Sequence, residues 1–180
     1  NLTTVNVSGL INAIITNTDI TPFFKQITDD KFAVTGGELA KLSNQFYLVG
    51  GQRFDGQYNP MGHGTYVQTY TEAIQKFTLN NSGATLSYSG YEKITDPIHL
   101  HRRDYNLLSH IFPDGSEGLV ISSGGFQPFV DLPFLYPVEI KEDSYVAKTE
   151  FNQYLNNYHT AHTNIYDSLE NKMTSLFFGG

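Results

Sequence analysis

Three stretches of this chain concentrate side chains that bind or react. The first runs from 52 to 69 and holds Arg53, Asp55, Tyr58, Asn59, His63 and Tyr66. The second holds His99, His101, Arg102, Arg103, Asp104 and Tyr105, and the third holds Tyr158, His159 and His162. Gln127 and Asp131 add an amide and a carboxylate. Aromatic rings offer flat faces with a polar tip, and guanidinium groups fork onto carboxylates. Such a set suits a carbohydrate, a carboxylate ligand or a peptide. The candidate ligand-binding residues are Arg53, Asp55, Tyr58, His63, Tyr66, His101, Arg102, Arg103, Tyr105 and His159. The competing reading is a solvated loop face whose side chains bond to one another.

Catalysis and metal binding find less support. Gly-x-Ser-x-Gly does not occur, and Ser122-Ser123 sits inside an apolar run, where small residues pack. Glu139, Glu142 and Asp143 cluster at a turn, where they serve solubility. No catalytic residue is assigned. His99-x-His101 on a strand would put two imidazoles on one side, about 7 Å apart. No third ligand is fixed beside them, so neither a metal nor a cofactor is assigned. His159-x-x-His162 has helical spacing in strand territory. His110 lies inside an apolar strand and reads as a core histidine. Arg102 and Arg103 are adjacent on a strand and point to opposite faces. One is expected to meet a carboxylate, the other to lie along the sheet.

The elements that must position these groups are β-strands. The chain has 180 residues, enough for one domain with a sizeable core, and is rich in Tyr, Phe, Thr and Gly. Its net charge of −7 argues against nucleic acid and anionic membrane surfaces as partners, because both need a clustered positive field. No apolar run approaches the roughly 18 residues of a spanning helix. Without Cys, disulfides and thiolate metal sites are excluded. This composition fits an extracellular or bacterial-envelope protein, and cytoplasmic proteins share it.

Alternation predicts strands at 23–27, 32–34, 46–49, 70–79, 85–95, 101–112, 118–122, 134–140, 145–154, 159–166 and 173–178. The run 10–15 fits a helical turn or a strand equally. The stretch 52–69 is a long polar loop by composition. Three apolar runs end on glycine pairs: Phe46-Tyr47-Leu48-Val49-Gly50-Gly51, Leu119-Val120-Ile121-Ser122-Ser123-Gly124-Gly125 and Ser175-Leu176-Phe177-Phe178-Gly179-Gly180. A weaker copy is Phe32-Ala33-Val34-Thr35-Gly36-Gly37. These are not phosphate loops, because GxGxxG and GxxxxGK are absent. Glycine there permits close backbone approach and positive φ at the end of a crowded strand.

Strand, turn, strand ending in Gly-Gly, loop, strand, turn, strand: this order occurs twice, with half a cycle before and after. Apolar residues, Gly-Gly, a later aromatic and a period of about 50 resemble the kelch repeat. The resemblance implies an all-β propeller-like array of four-stranded antiparallel blades, about three blades' worth, with the ring incomplete in this chain. The expected division is a partial blade 1–28, blades 32–97 and 101–154, and a partial blade 158–180. The chain departs from the family in having no Trp, whose place Tyr88 or Tyr91, and Tyr145 or Phe151, would fill.

The implied protein is a segment of a larger propeller. It would be a non-catalytic scaffold or binding protein, recognising protein or glycan through its loop face, with remaining blades from the same or another chain. The alternative is a carbohydrate-active enzyme of the sialic acid mutarotase-like kelch type, its site at the propeller mouth with Arg102 or Arg103. The copper-oxidase variant of the family needs a Cys, and there is none.

Overall fold

A computed structural model describes residues 1–59, 61 and 64–179. The protein is mostly β, and every paired strand is antiparallel. Strand β1 (Leu2–Val5) pairs with β2 (Phe24–Ile27), and helix α1 (Val7–Thr16) lies between them in sequence. The ambiguous run 10–15 is therefore helical. Asn6 decides the start, its side chain accepting from the Gly9 amide at 3.1 Å. Asn17 ends it in the left-handed conformation, φ 52°.

The first four-stranded sheet follows. Its strands are β3 (Glu38–Leu42), β4 (Gln45–Val49), β7 (Ala73–Asn80) and β8 (Ser87–Thr95), adjacent in that order. Between β4 and β7 the chain makes a separate hairpin, β5 (Gln52–Gly56) with β6 (Tyr66–Tyr70). The second four-stranded sheet is a meander of β9 (Arg103–Ile111), β10 (Glu117–Gly125), β11 (Val138–Ile140) and β12 (Tyr145–Ala147). A last hairpin joins β13 (Ala161–Asp167) to β14 (Lys172–Phe178).

Three expectations need correction. The run 32–34 is not a strand. Residues Asp30–Phe32 make a 3-10 turn, which drops the Phe32 ring onto Phe77 and Tyr88, at 5.0 and 5.1 Å between ring centroids. The real first strand of that sheet is Glu38–Leu42, whose mixed polarity hid it. The stretch 52–69 is a hairpin over most of its length rather than a plain loop. The strands expected at 134–140 and 145–154 shrink to three residues each.

The core lies where the two four-stranded sheets face each other. Direct cross-strand partners share a face, so Tyr47, Val49 and Ile74 of the first sheet meet Tyr105, Leu107, Leu119, Ile121, Val138 and Ile140 of the second. Each fully buried Leu, Ile or Val contributes about 1.5–3 kcal/mol. The opposite face of the first sheet carries the Phe32, Phe46, Phe77 and Tyr88 cluster.

Two glycine pairs interlock where β3 begins and β4 ends. Gly51 has φ 76°, and a Cβ there would lie 2.5 Å from the Gly37 nitrogen and 2.7 Å from the Thr35 oxygen. A side chain is excluded at that point, which is why the pair recurs at the end of this strand. Gly124 (φ 97°) and Gly179 (φ 94°) also need the left-handed region. Gly180 lies outside the described residues.

Candidate functional site

The loop after β4, the loop after β10 and the links leading into β9 and β13 lie at one edge of the sheets. Hydrogen bonds fix this: Gly51 N donates to Arg102 O at 2.7 Å, Asp104 N donates to Gly36 O at 3.2 Å, and Asn157 N donates to Ser123 Oγ at 3.1 Å. The edge carries two groups of side chains.

One group surrounds the start of β9. The Tyr70 ring stacks on His101 with centroids 3.8 Å apart and an interplanar angle of 17°. His101 Nδ1 lies 2.7 Å from Glu72 Oε1. The Arg103 guanidinium sits over the Phe126 ring at 4.0 Å, and its Nε lies 3.6 Å from Asp104. The other Asp104 oxygen lies 3.1 Å from His159 Nε2. Burial raises the Tyr70 hydroxyl above its ordinary pKa, against the opposing pull of Arg103. His101, Arg103 and His159 thus come together around Asp104, Glu72 and Tyr70.

The second group belongs to the β5–β6 hairpin. Alternation puts Phe54, Tyr66, Gln68 and Tyr70 on one face and Arg53 and Asp55 on the other. Phe54 and Tyr66 stack at 5.0 Å, and Tyr58 closes on Tyr66 at 5.6 Å while remaining exposed. Arg53 is spent on Asp55 through two contacts of 2.8 and 3.0 Å, and on Asp30 at 3.6 Å. These exposed pairs contribute little stability. His63 lies outside the described residues.

Two expected site residues belong to the framework instead. Arg102 is 0% exposed. It donates to the carbonyls of His99, Ser123 and Tyr136 at 2.9 Å each, and its guanidinium lies 4.0 Å from the Phe134 centroid. Burial lowers its pKa to about 10. Tyr105 is also 0% exposed, its hydroxyl donating to Val49 O and accepting from Glu38 N. Neither can touch a ligand from outside. Residues at the site that sequence reasoning passed over are Phe54, Tyr70, Glu72 and Phe126. Phe54 and Tyr70 could have been found from alternation through 52–70, had that stretch been read as a hairpin.

Among the described residues the histidines do not gather into a metal centre. His99 precedes β9 rather than lying on it, and its Nδ1 is taken by the Tyr136 hydroxyl at 2.8 Å. Among the described residues no group of three His, Asp or Glu could hold a metal ion. His110 is half-buried against Phe112 at 4.8 Å, and burial lowers its pKa. Ser123 Oγ accepts from Gln153 Nε2 at 2.6 Å and from the Asn157 amide at 3.1 Å, so it is a structural acceptor. What the edge can do chemically is stack, donate and accept. The chain matches no known protein family, no curated protein and no solved structure.

Proposed function

We propose that this chain is a propeller-type binding protein that recognises a glycan or peptide ligand through the edge carrying Tyr70, His101 and Arg103. The two meanders would be successive blades of the kelch type, with half blades on either side. One observation carries the ligand reading. The hairpin presents Tyr58, Tyr66 and Phe54 as a row of rings on the face that also holds Gln68 and Tyr70, beside His101, Glu72 and Arg103. Rings with nearby amide, carboxylate and guanidinium groups favour a sugar, which offers C–H faces and hydroxyls together. Binding without chemistry is the reading adopted, since neither Ser122 nor Ser123 bonds to a base.

The test is a glycan and peptide array with the parent chain and with Tyr58→Ala, Tyr66→Ala and Arg103→Ala. Loss of one ligand class in all three variants supports the reading. Undiminished binding, or no binding by the parent, sinks it.

A further inference from the structure

Two buried polar atoms at the binding edge, Gln52 Oε1 and Arg103 Nε, meet no hydrogen-bond partner. We infer that the ligand of this edge is a neutral, hydroxyl-bearing sugar, and that Gln52 and Arg103 select it by holding one hydroxyl between them. That hydroxyl donates to Gln52 Oε1 and accepts from Arg103 Nε. This rests on the binding edge proposed above and adds Gln52 to it.

Main-chain geometry brings the two side chains to one place. Gln52, only 2% exposed, exchanges main-chain bonds of 2.8 and 2.9 Å with Thr35. The next residue, Gly36, lies against Arg103: a Cβ on it would stand 3.2 Å from Arg103 Cβ. Gln52 is also the direct cross-strand partner of Tyr70, so their side chains leave one face with Cβ atoms about 5 Å apart. The Tyr70 hydroxyl in turn feels Arg103 as a charge and as a hydrogen-bond donor. Asp104 is the group facing Arg103 Nε, and at 3.6 Å it is an ion-pair partner rather than a hydrogen-bond acceptor. Buried polar atoms are nearly always paired. An unmet acceptor and an unmet donor at one edge therefore mark a group that the chain does not supply itself.

The chemistry of the missing group follows. A carboxylate accepts but cannot donate, an ammonium donates but cannot accept, and a hydroxyl does both. Charge points the same way. Arg103 and His159 face the two oxygens of Asp104, and His101 faces Glu72. These cationic groups are already matched by carboxylates, and the Asp131 carboxylate also acts on Tyr70, so this cluster keeps no free positive charge for an anionic ligand. A primary amide donates and accepts too, but a sugar also lays a C–H face on rings. The Phe54–Tyr66 stack offers that surface on the same face of the hairpin as Gln52. Backbone strain gathers here as well. Glu72, Asp104, Phe126 and His159 have φ of 51°, 58°, 66° and 36° without being glycine, and such conformations cluster at ligand sites. The Phe126 ring, 4.0 Å from the Arg103 guanidinium, is the cover that turns aside to admit the hydroxyl.

The experiment is calorimetric titration of the parent and of Gln52→Leu with soluble probes of matched length: neutral gluco-, manno- and galacto-oligosaccharides, an oligogalacturonate, a chitosan oligomer and an uncharged peptide. The parent is expected to bind one neutral oligosaccharide, and the charged oligomers and the peptide about tenfold or more weakly. Gln52→Leu should lose about tenfold or more on the neutral probe. Its melting temperature without probe should equal or exceed the parent's, because leucine leaves no buried acceptor unmet. Deoxy versions of the neutral probe give a readout that needs no variant: removal of one particular hydroxyl should reproduce the loss in the parent and change nothing in Gln52→Leu. Tightest binding to the oligogalacturonate, the chitosan oligomer or the peptide overturns the inference and leaves the binding edge standing. Undiminished binding of the neutral probe by Gln52→Leu overturns it too, and assigns the two atoms to bound water. A lower melting temperature for Gln52→Leu overturns it by showing that Oε1 was already paired. Failure of the parent to bind any probe overturns the binding edge and this inference together.

Discussion

The Tyr105 hydroxyl donates to the Val49 carbonyl and accepts from the Glu38 amide, so one buried side chain of β9 closes the end of the β3–β4 ladder in the neighbouring sheet. Its ring fills the core while its oxygen satisfies two main-chain groups that water cannot reach. Tyr105→Phe keeps the ring and strips both partners. Leaving a buried donor and acceptor unmet costs about 1–3 kcal/mol. We expect a stability loss of about 2 kcal/mol by urea denaturation, with circular dichroism unchanged below the transition. A loss under about 0.5 kcal/mol would mean the bridge is dispensable.

Arg102 holds three carbonyls from separate places, His99, Ser123 and Tyr136, under two aromatic rings. Lysine carries the charge, but its compact ammonium lacks the planar five-donor fork whose separate nitrogens reach these three carbonyls. Arg102→Lys is expected to cost about 3 kcal/mol, since hydrogen bonds to a charged group contribute about 1.5–3 kcal/mol each. Ligand binding by the folded fraction should be unchanged. Reduced affinity at full folding would return Arg102 to the ligand site.

Gly51 and Gly90 both have positive φ, 76° and 59°, but differ in surroundings. At Gly90 a Cβ meets nothing within 4 Å, while at Gly51 it would collide with main chain of Thr35 and Gly37. Gly90→Ala should cost about 1–2 kcal/mol, the left-handed penalty alone. Gly51→Ala should cost clearly more, because backbone must shift as well. Equal thermal shifts for the two would show that close approach of the glycine pairs is unimportant.

Glu38 is half-buried, and burial raises its carboxyl pKa above the ordinary 4.5, against the Leu107 amide and nearby His159 and His162, which lower it. A raised pKa means the folded state holds the proton more tightly than the unfolded chain. The stabilisation is complete below pH 4.5 and is lost as pH rises through the folded value. Glu38→Gln removes that dependence. The melting temperature of the variant relative to the parent should therefore be more favourable at pH 7.5 than at pH 4. The opposite trend would show that the amide and histidine contacts dominate.

Where local signals agreed with tertiary ones, the strands were legible from residues alone. The runs 85–95, 101–112 and 118–122 alternate or lead into a glycine pair, and the strands there are Ser87–Thr95, Arg103–Ile111 and Glu117–Gly125. The failures have physical causes. Phe32-Ala33-Val34 has strand composition, yet Asp29 caps a 3-10 turn through the Lys31 amide at 2.9 Å, and the ring gains more by packing on Phe77 and Tyr88 than by extending a ladder. Leu39, Ala40 and Lys41 look unremarkable because β3 is half-exposed. Hairpin β5–β6 was hidden because both its faces carry polar groups, which blunts the hydrophobic period.

The candidate site divides the same way. Residue types alone marked the stretches 52–69 and 99–105, and antiparallel strand chemistry with glycine-terminated runs followed from spacing. Which arginine meets solvent could not follow, because 102 and 103 are adjacent, both cationic and flanked alike. Only the packing of the link before β9 against the end of β10 and the segment 134–136 decided it. It sank Arg102 among carbonyls and aromatic rings and left Arg103 beside Asp104 and Phe126. Periodicity along a strand is a local property carried by each side chain. Burial at a sheet edge depends on which distant strand lies opposite, and here that is set by contacts between residues far apart in sequence, such as the Leu107 amide with Glu38, 69 positions away, and the Tyr47 hydroxyl with the Glu142 carbonyl, 95 positions away.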